Sequence, residues 1–271
     1  MGLVFLIKSM ESSSDDGSRM SLNLIDIASY QADINLETVF AQNPLDGLII
    51  KATEGTSYVN YPYCDRWVQY CRRNGKPWGF YHYLCGHDPV NEAKYFVKHC
   101  KNYFGDGLPC ADYEGEIVNA TDGGTYYLRK FLEECFKETG VRPMVYCNLS
   151  TIQCDVNGFR MIAQDGYPLW LAQWIGNITN FQPHPPQSGS FAPFERITMH
   201  QYSDKGRLSG YNKNLDLDIF YGDIEDWNQL AGKSDTPEPA PQDDWLADWI
   251  EYLEEEKQRI QAKIDELKAR R

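Results

Sequence analysis

Two acidic residues two positions apart are the strongest chemical signal in the sequence. They are Asp112 and Glu114, in the segment CADYEG at positions 110–115. In a β-strand, residues i and i+2 face the same side, and their backbones lie about 6.6 Å apart. Two carboxyl groups at this spacing can hydrolyse a glycosidic bond, one as the acid and the other as an anion beside the oxocarbenium charge. The same spacing also occurs in acids without a catalytic role, so the pair alone leaves both interpretations open.

Alternating apolar and helical patterns between residues 21 and 231 indicate how this pair is positioned. Strands are predicted at Leu22–Ala28, Gly47–Thr53, Trp78–Tyr83, Leu108–Glu114, Pro143–Cys147, Leu169–Trp174, Arg196–Tyr202 and Leu215–Tyr221. Helices are predicted between the first five of them, at Leu36–Gln42, Tyr63–Arg73, Val90–Tyr103 and Thr125–Thr139. The later strands are expected to follow one another through loops. Strands with this incomplete set of helices predict an α/β barrel.

Polar and aromatic residues recur where the predicted strands end. They are Asp26, Lys51, Glu54, Tyr81, Tyr83, Asp112, Glu114, Tyr146, Gln173, Trp174, Gln201, Tyr202, Asp216 and Asp218. Active sites of such barrels lie at the carboxyl ends of the strands. An acid at a single strand end often caps the next helix, but the recurrence predicts a shared pocket. Burial and like charges at one mouth should raise the pKa of some of these carboxyl groups.

Composition excludes several classes of protein. The chain has 271 residues, of which 42% are hydrophobic and 24% charged, which is typical of a globular protein. The length suits one barrel domain with an appendage. A net charge of −13 argues against a nucleic-acid partner. No apolar run approaches the roughly 20 residues that span a bilayer.

Cysteines and histidines give no sign of a metal or cofactor. The eight cysteines form no CxxC pair and no cluster with zinc-ligand spacing, so free buried thiols are expected. The five histidines are not spaced as a metal site. A glycosidase needs only its two carboxyl groups, so neither a metal nor a cofactor is predicted.

Both ends of the chain differ from the barrel region. Residues 1–20 are interpreted as a tag or an N-terminal extension, without an ordinary export signal. Residues 21–231 form the predicted barrel, and the Pro-rich residues 232–242 form a linker. Residues 243–271 carry a heptad pattern with Lys257 at one seam position. This pattern predicts a coiled-coil helix for homo-oligomerisation, and the alternative is a helix folded back on its own domain.

Seven segments resemble one known family. They are IDIASYQ at 25–31, IIKATEG at 49–55, GFYHY at 79–83, ADYE at 111–114, WLAQW at 170–174, HQY at 200–202 and LDLD at 215–218. In this order they are similar to the glycoside hydrolase family 25 lysozymes, common as phage endolysins and bacterial autolysins. The resemblance covers about residues 22–228, most of the chain between its two ends.

The resemblance implies a fold, a substrate and roles for single residues. The fold would be a flattened (β/α)5(β)3 barrel, and the substrate would be peptidoglycan, cut between N-acetylmuramic acid and N-acetylglucosamine. Glu114 matches the general acid and Asp112 its partner carboxylate, with Asp26 and Asp216 as further acids at the mouth. The residues expected to bind substrate are Tyr81, Tyr83, Tyr146, Trp174, Gln201 and Asp218. Asp218 stands where the family commonly has Asn, which would add a negative charge near the mouth.

Mechanism and biological role stay open at this level. The 2-acetamido group of the substrate can act as internal nucleophile with Asp112 orienting it, or a water can attack from the opposite face. We favour the acetamido route. The resemblance suggests a phage endolysin made in the cytoplasm of its bacterial host and acting on the cell wall. The alternative is an inactive wall-binding or scaffolding protein on the same barrel.

Overall fold

The structure is a computed structural model that describes residues 21–86, 88–119 and 124–233, with scattered helical positions between 254 and 268. The strands of this part are β1 (Leu22–Ile27), β2 (Gly47–Glu54), β3 (Tyr58–Val59), β4 (Trp78–Tyr83), β5 (Leu108–Asp112), β6 (Met144–Asn148), β7 (Leu169–Ala172), β8 (Met199–Gly206) and β9 (Leu215–Phe220). The helices are α1 (Leu36–Gln42), α2 (Tyr63–Arg73), α3 (Pro89–Cys100), α4 (Gly124–Thr139), α5 (Leu149–Cys154), α6 (Val156–Gln164) and α7 (Ile224–Ala231).

Eight of these strands close into a barrel. The order around it is β1, β2, β4, β5, β6, β7, β8 and β9, and β9 pairs with β1 to complete the circle. Neighbours are parallel from β1 to β8, whereas β9 runs antiparallel to both β8 and β1. β3 only extends β2 as a short hairpin. The barrel confirms the predicted fold class.

Apolar side chains fill the barrel on both sides of its wall. Inside, Leu24, Ile49 and Met144 belong to a buried cluster that also includes Trp227 of α7. Outside, a larger cluster packs the strands against the helices. Because successive strand residues face opposite sides, each of the eight barrel strands contributes to both clusters. α7 lies at the end of the barrel opposite the carboxyl ends of the parallel strands, where Trp227 packs edge-on against Phe220 at 5.1 Å.

The connection between β6 and β7 differs from the prediction. It holds α5 and α6 instead of a loop. These helices have six and nine residues, too short for a clear apolar period in the sequence. Their starts carry ordinary side-chain caps, because Asn148 accepts from the Thr151 N–H and Asp155 accepts from the Gly158 N–H.

Most strand boundaries also differ from the prediction by one to four residues, and β8 runs over Met199–Gly206 instead of Arg196–Tyr202. β5 ends at Asp112 and β7 ends at Ala172, so Glu114 and Trp174 lie in the loops that follow. No helix in the described part of the chain is long and apolar enough to cross a membrane. The predicted extension at 1–20 lies outside the described residues, as do the linker beyond Lys233 and most of the heptad helix.

Candidate active site

Alternation along the strands directs a set of polar side chains into one end of the barrel. On β1, Leu24 faces the apolar interior and Asp26 follows two residues later, near the mouth. Register then aligns the neighbouring strands, with Lys51 opposite Tyr81 and Tyr83 opposite Asp112. The predicted acids and aromatic residues are therefore brought together at the carboxyl ends of the parallel strands.

Asp216 and Asp218 reach this mouth by a different route. We expected them at the carboxyl end of their strand, and this expectation is wrong. β9 is antiparallel to its neighbours, so its first residues lie at the mouth, and Asp216 pairs with Asp26 in register. A sequence pattern of strands does not reveal that one strand reverses direction.

The central pair combines a buried acid and a half-buried one. Asp112 is 7% exposed, and its Oδ1 atom receives no hydrogen bond from the described residues. Glu114 is half-buried in the loop after β5. The next residue, Gly115, has φ +72°, and a Cβ there would lie 2.7 Å from the Tyr83 hydroxyl. Glycine thus lets the chain turn close to Tyr83 directly after the acid.

Burial sets the charge of this pair. It is the largest cause of the raised pKa of both Asp112 and Glu114, and the proximity of Glu114 raises the pKa of Asp112 further. Lys51 opposes the shift in both groups. The two carboxyl groups therefore titrate as a coupled pair in which one proton is retained above the ordinary pKa of either acid.

Lys51 and Glu54 lie on the same side of β2 because of an irregularity in this strand. The pairing of β2 with β4 shifts register between Lys51 and Thr53, as in a β-bulge. Residues three apart in a regular strand face opposite sides, yet Lys51 and Glu54 form an ion pair of 2.5 Å. The Lys51 ammonium also lies 4.8 Å from the centre of the Tyr83 ring. The bulge thus brings Glu54 to the side of Lys51, whose positive charge acts on Asp112.

A hydrogen-bond network on the other wall holds Asp26. The Gln201 amide donates to Asp26 Oδ2 at 2.6 Å, and its carbonyl oxygen accepts from Tyr146 at 3.0 Å and from Trp174 at 3.1 Å. Burial raises the pKa of Asp26 to about 6 despite the Gln201 bond. Burial and the neighbouring Asp26 raise the pKa of Asp216 to about 8.

Comparison with known proteins decides the family. The family model "Glycosyl hydrolases family 25" matches residues 25–211. The chain belongs to this family. It is 28% identical over 196 residues to an autolytic lysozyme of Clostridium acetobutylicum, covering 72% of this chain but only 55% of that relative.

Solved structures agree with the family 25 fold. A bacterial lysozyme from Streptomyces coelicolor superposes with a TM-score of 0.63 at 23% identity, over 78% of this chain and 97% of that one. A family 25 lysozyme from Aspergillus fumigatus gives a TM-score of 0.62 at 24% identity, over 78% and 99% of the two chains. At these identities the likeness shows a shared barrel.

The family 25 barrel divides the predicted substrate-binding residues into two sets. Tyr81 and Tyr83 are half-buried, and Trp174 is 52% exposed, so these rings are open to a ligand. Tyr146, Gln201 and Asp218 are 8%, 3% and 0% exposed. The second set lies beneath the surface of the groove and supports the first, since Gln201 holds the Trp174 indole.

Three residues of this site were not among the predicted site residues. Lys51 and Glu54 were noted only as polar residues at a strand end, and Trp170 only as part of a family segment. Trp170 donates to Asp218 Oδ1 at 2.8 Å. The inward alternation of Ile49 and Lys51 was the signal available for the lysine. In the described part of the chain, no group of His, Cys, Asp and Glu is arranged to hold a metal ion.

Proposed function

We propose that this family 25 barrel is a muramidase that hydrolyses the β-1,4 bond between N-acetylmuramic acid and N-acetylglucosamine in peptidoglycan. The observation that carries the proposal is the coupled pair Asp112 and Glu114 at the carboxyl end of β5, beside the exposed Trp174. Family membership and the relative named an autolytic lysozyme support it. Exposed aromatic rings are suited to stack on sugar rings.

Glu114 is the general acid in this proposal. Its side chain is partly exposed, so it can reach the oxygen of a sugar bound in the groove. Its raised pKa keeps it protonated at a pH where an ordinary glutamate is ionised. It donates this proton to the leaving oxygen as the glycosidic bond breaks.

Asp112 is the partner carboxylate. Its buried Oδ1 has no donor among the described residues, and the N–H of a substrate's 2-acetamido group would supply one. Such a bond aligns the acetamido oxygen for attack on the anomeric carbon. It also favours the ionised form of Asp112, an effect to which Lys51 contributes by its positive charge.

The stereochemistry of the product tests this route. Attack by the acetamido oxygen followed by water retains the configuration, so NMR of a fresh digest should show the β anomer first. An initially α product would mean direct attack by water and would exclude the acetamido route.

The bond that is cut tests the function itself. We expect digestion of purified peptidoglycan to release fragments with N-acetylmuramic acid at the reducing end, identified by mass analysis. Fragments ending in N-acetylglucosamine would indicate a glucosaminidase, and freed peptides an amidase. Binding to the wall without new reducing ends would indicate an inactive wall-binding protein.

We also propose two finer points that rest on the sequence. The enzyme would act as a phage endolysin released from the host cytoplasm. This role requires that expression of the enzyme together with a holin lyses bacterial cells.

Residues 243–271 would join copies of the chain and increase avidity for a polymeric wall. Light scattering should give an oligomer for the full chain and a monomer for a chain ending at Gly232, and monomers in both cases would contradict this.

A further inference from the structure

Asp218 is an acid in an unusually closed position. It is 0% exposed, on β9 between β1 and β8. Its Oδ1 accepts from the Trp170 indole N–H at 2.8 Å. Its Oδ2 receives no hydrogen bond from an amide, indole or hydroxyl group of the described residues. No ion pair joins Asp218 to a lysine or arginine in the described part of the chain.

The neighbour of Asp218 is the Asp26 carboxyl group, with which it is in hydrogen-bond contact. Two ionised carboxylates offer only acceptor atoms, so this contact requires a proton on one of them. The question is therefore which of the two acids carries it.

The surrounding donors answer this question. An indole N–H can only donate, so the bond from Trp174 fixes the Gln201 carbonyl as its acceptor and turns the Gln201 NH₂ group toward Asp26. Asp26 thus accepts a bond of 2.6 Å and is 9% exposed, whereas Asp218 has one indole bond and no exposure. The better-solvated acid with the closer donor keeps the negative charge.

The other titratable groups around Asp218 point the same way. They are Asp26 on β1, Asp216 on β9, Cys110 on β5, Tyr146 on β6 and Tyr202 on β8. When ionised, each of these groups is negative. None of them would stabilise a second carboxylate at this position.

We propose that Asp218 is a neutral carboxylic acid whose O–H donates to Asp26, so that it acts as a positioning residue for the ionised Asp26. In this form it presents the same pattern as an asparagine, accepting from Trp170 and donating to Asp26. An acid can therefore occupy a position where the resembled family commonly has Asn without adding charge to the site. Its protonation is independent of the proposed function, and only its benefit to catalysis rests on that function.

Infrared difference spectroscopy tests the protonation directly. Spectra of the wild type and Asp218→Asn are compared at a pH above the pKa of Asp216, which is about 8. We expect the wild type to show the carbonyl stretch of a protonated carboxyl group that the variant lacks. Loss of carboxylate bands in its place would overturn the proposal.

Asp33→Asn is the matched control for this measurement. Asp33 is exposed and its bond from Lys213 lowers its pKa, so it is ionised at the same pH. Its replacement should remove carboxylate bands and leave the protonated-carboxyl band in place.

Activity on peptidoglycan tests the positioning role. Asp218→Asn preserves both hydrogen bonds, whereas Asp218→Leu breaks them, which leaves the Trp170 N–H unpaired and Asp26 with only its bond from Gln201. We expect the Asn variant to be roughly tenfold or more active than the Leu variant, with the acid limb of its pH profile where the wild type has it. Equal activities, or an acid limb moved to lower pH in the Asn variant, would contradict the role.

These outcomes separate the proposal from the proposed function. If the protein did not hydrolyse peptidoglycan at all, the infrared comparison would still decide the state of Asp218. If the infrared result failed while hydrolysis persisted, the proposal for Asp218 would be wrong and the proposed function would stand.

Discussion

The two ends of the barrel interior contrast sharply although the same strands build both. β9 carries Phe220 at the closed end and Asp216 at the mouth, and β1 carries Leu24 and then Asp26. The closed end is covered by α7 and packed with apolar side chains. The mouth holds several carboxyl groups whose pKa values are raised by burial and mutual proximity. The closed end thus stabilises the fold, whereas the mouth keeps buried carboxyl groups that cost stability but can transfer protons.

Replacing the acid at the mouth should have the largest effect. We expect Glu114→Gln to lower activity on peptidoglycan by about 10²–10⁴-fold, because an amide cannot protonate the leaving oxygen. Release of reducing ends measures this, and circular dichroism checks the fold.

Glu225→Gln is the matched control from the opposite end. Glu225 is exposed in the first turn of α7, and its replacement should leave activity unchanged. Equal activity of the wild type and the Glu114 variant would remove Glu114 from the mechanism.

Truncating a side chain at the closed end should lower the stability of the protein and leave its activity unchanged. Trp227 is fully buried, and Trp227→Ala should lower the free energy of unfolding by about 3–5 kcal/mol through lost packing and a cavity. Activity per folded molecule should stay near that of the wild type. Ile224→Ala, on the same helix but 38% exposed, should cost less than about 1 kcal/mol in urea unfolding. A loss of activity per folded molecule in Trp227→Ala would show that the two ends of the barrel are coupled.

Removing a carboxyl group from the mouth should stabilise the protein. The folded state raises the pKa of Asp216 to about 8, so the fold binds this proton more tightly than the unfolded chain does. Stability from this group is present at low pH and is lost as the pH rises toward 8. Asp216→Asn should therefore be more stable than the wild type by roughly 1–2 kcal/mol near pH 8, and by less near pH 5. Urea unfolding at both pH values measures the difference in free energy of unfolding between the variant and the wild type. A difference that does not increase with pH would contradict the raised pKa of Asp216.

The smallest effect is expected from the cation at the mouth. Lys51 lowers the pKa of Asp112 and Glu114, so Lys51→Met should raise both and move the pH–activity profile upward by roughly half to one unit. Lys51→Arg keeps the charge and should leave the profile near that of the wild type. Identical profiles for the two variants would show that the charge of Lys51 does not act on the pair.

Much of this site could be predicted because strand alternation is readable in a sequence. It placed Asp112 and Asp26 on the interior face, and the family segments pointed to Glu114. The pairing of Lys51 with Glu54 could not be predicted, since it depends on a bulge that exists only when β2 pairs with β4. The reversal of β9 was hidden for the same reason, because strand direction is a property of the assembled sheet.

Burial was the other property that the sequence did not contain. Tyr146 and Trp174 are both aromatic residues near strand ends, yet one is 8% and the other 52% exposed. Their difference arises from register, because Tyr146 pairs within the ladder while Trp174 follows the end of β7. Residue type therefore indicated the groove, and only the packing separated its surface from its support.

The role of Glu114 as general acid is tested most directly by changing the leaving group. The wild type and Glu114→Gln are compared on N-acetylmuramic acid linked to a sugar and on the same unit linked to nitrophenol, whose anion leaves without a proton. We predict that the variant loses most activity on the sugar-linked substrate and regains most of it on the nitrophenyl substrate. Equal losses on both substrates would contradict the account.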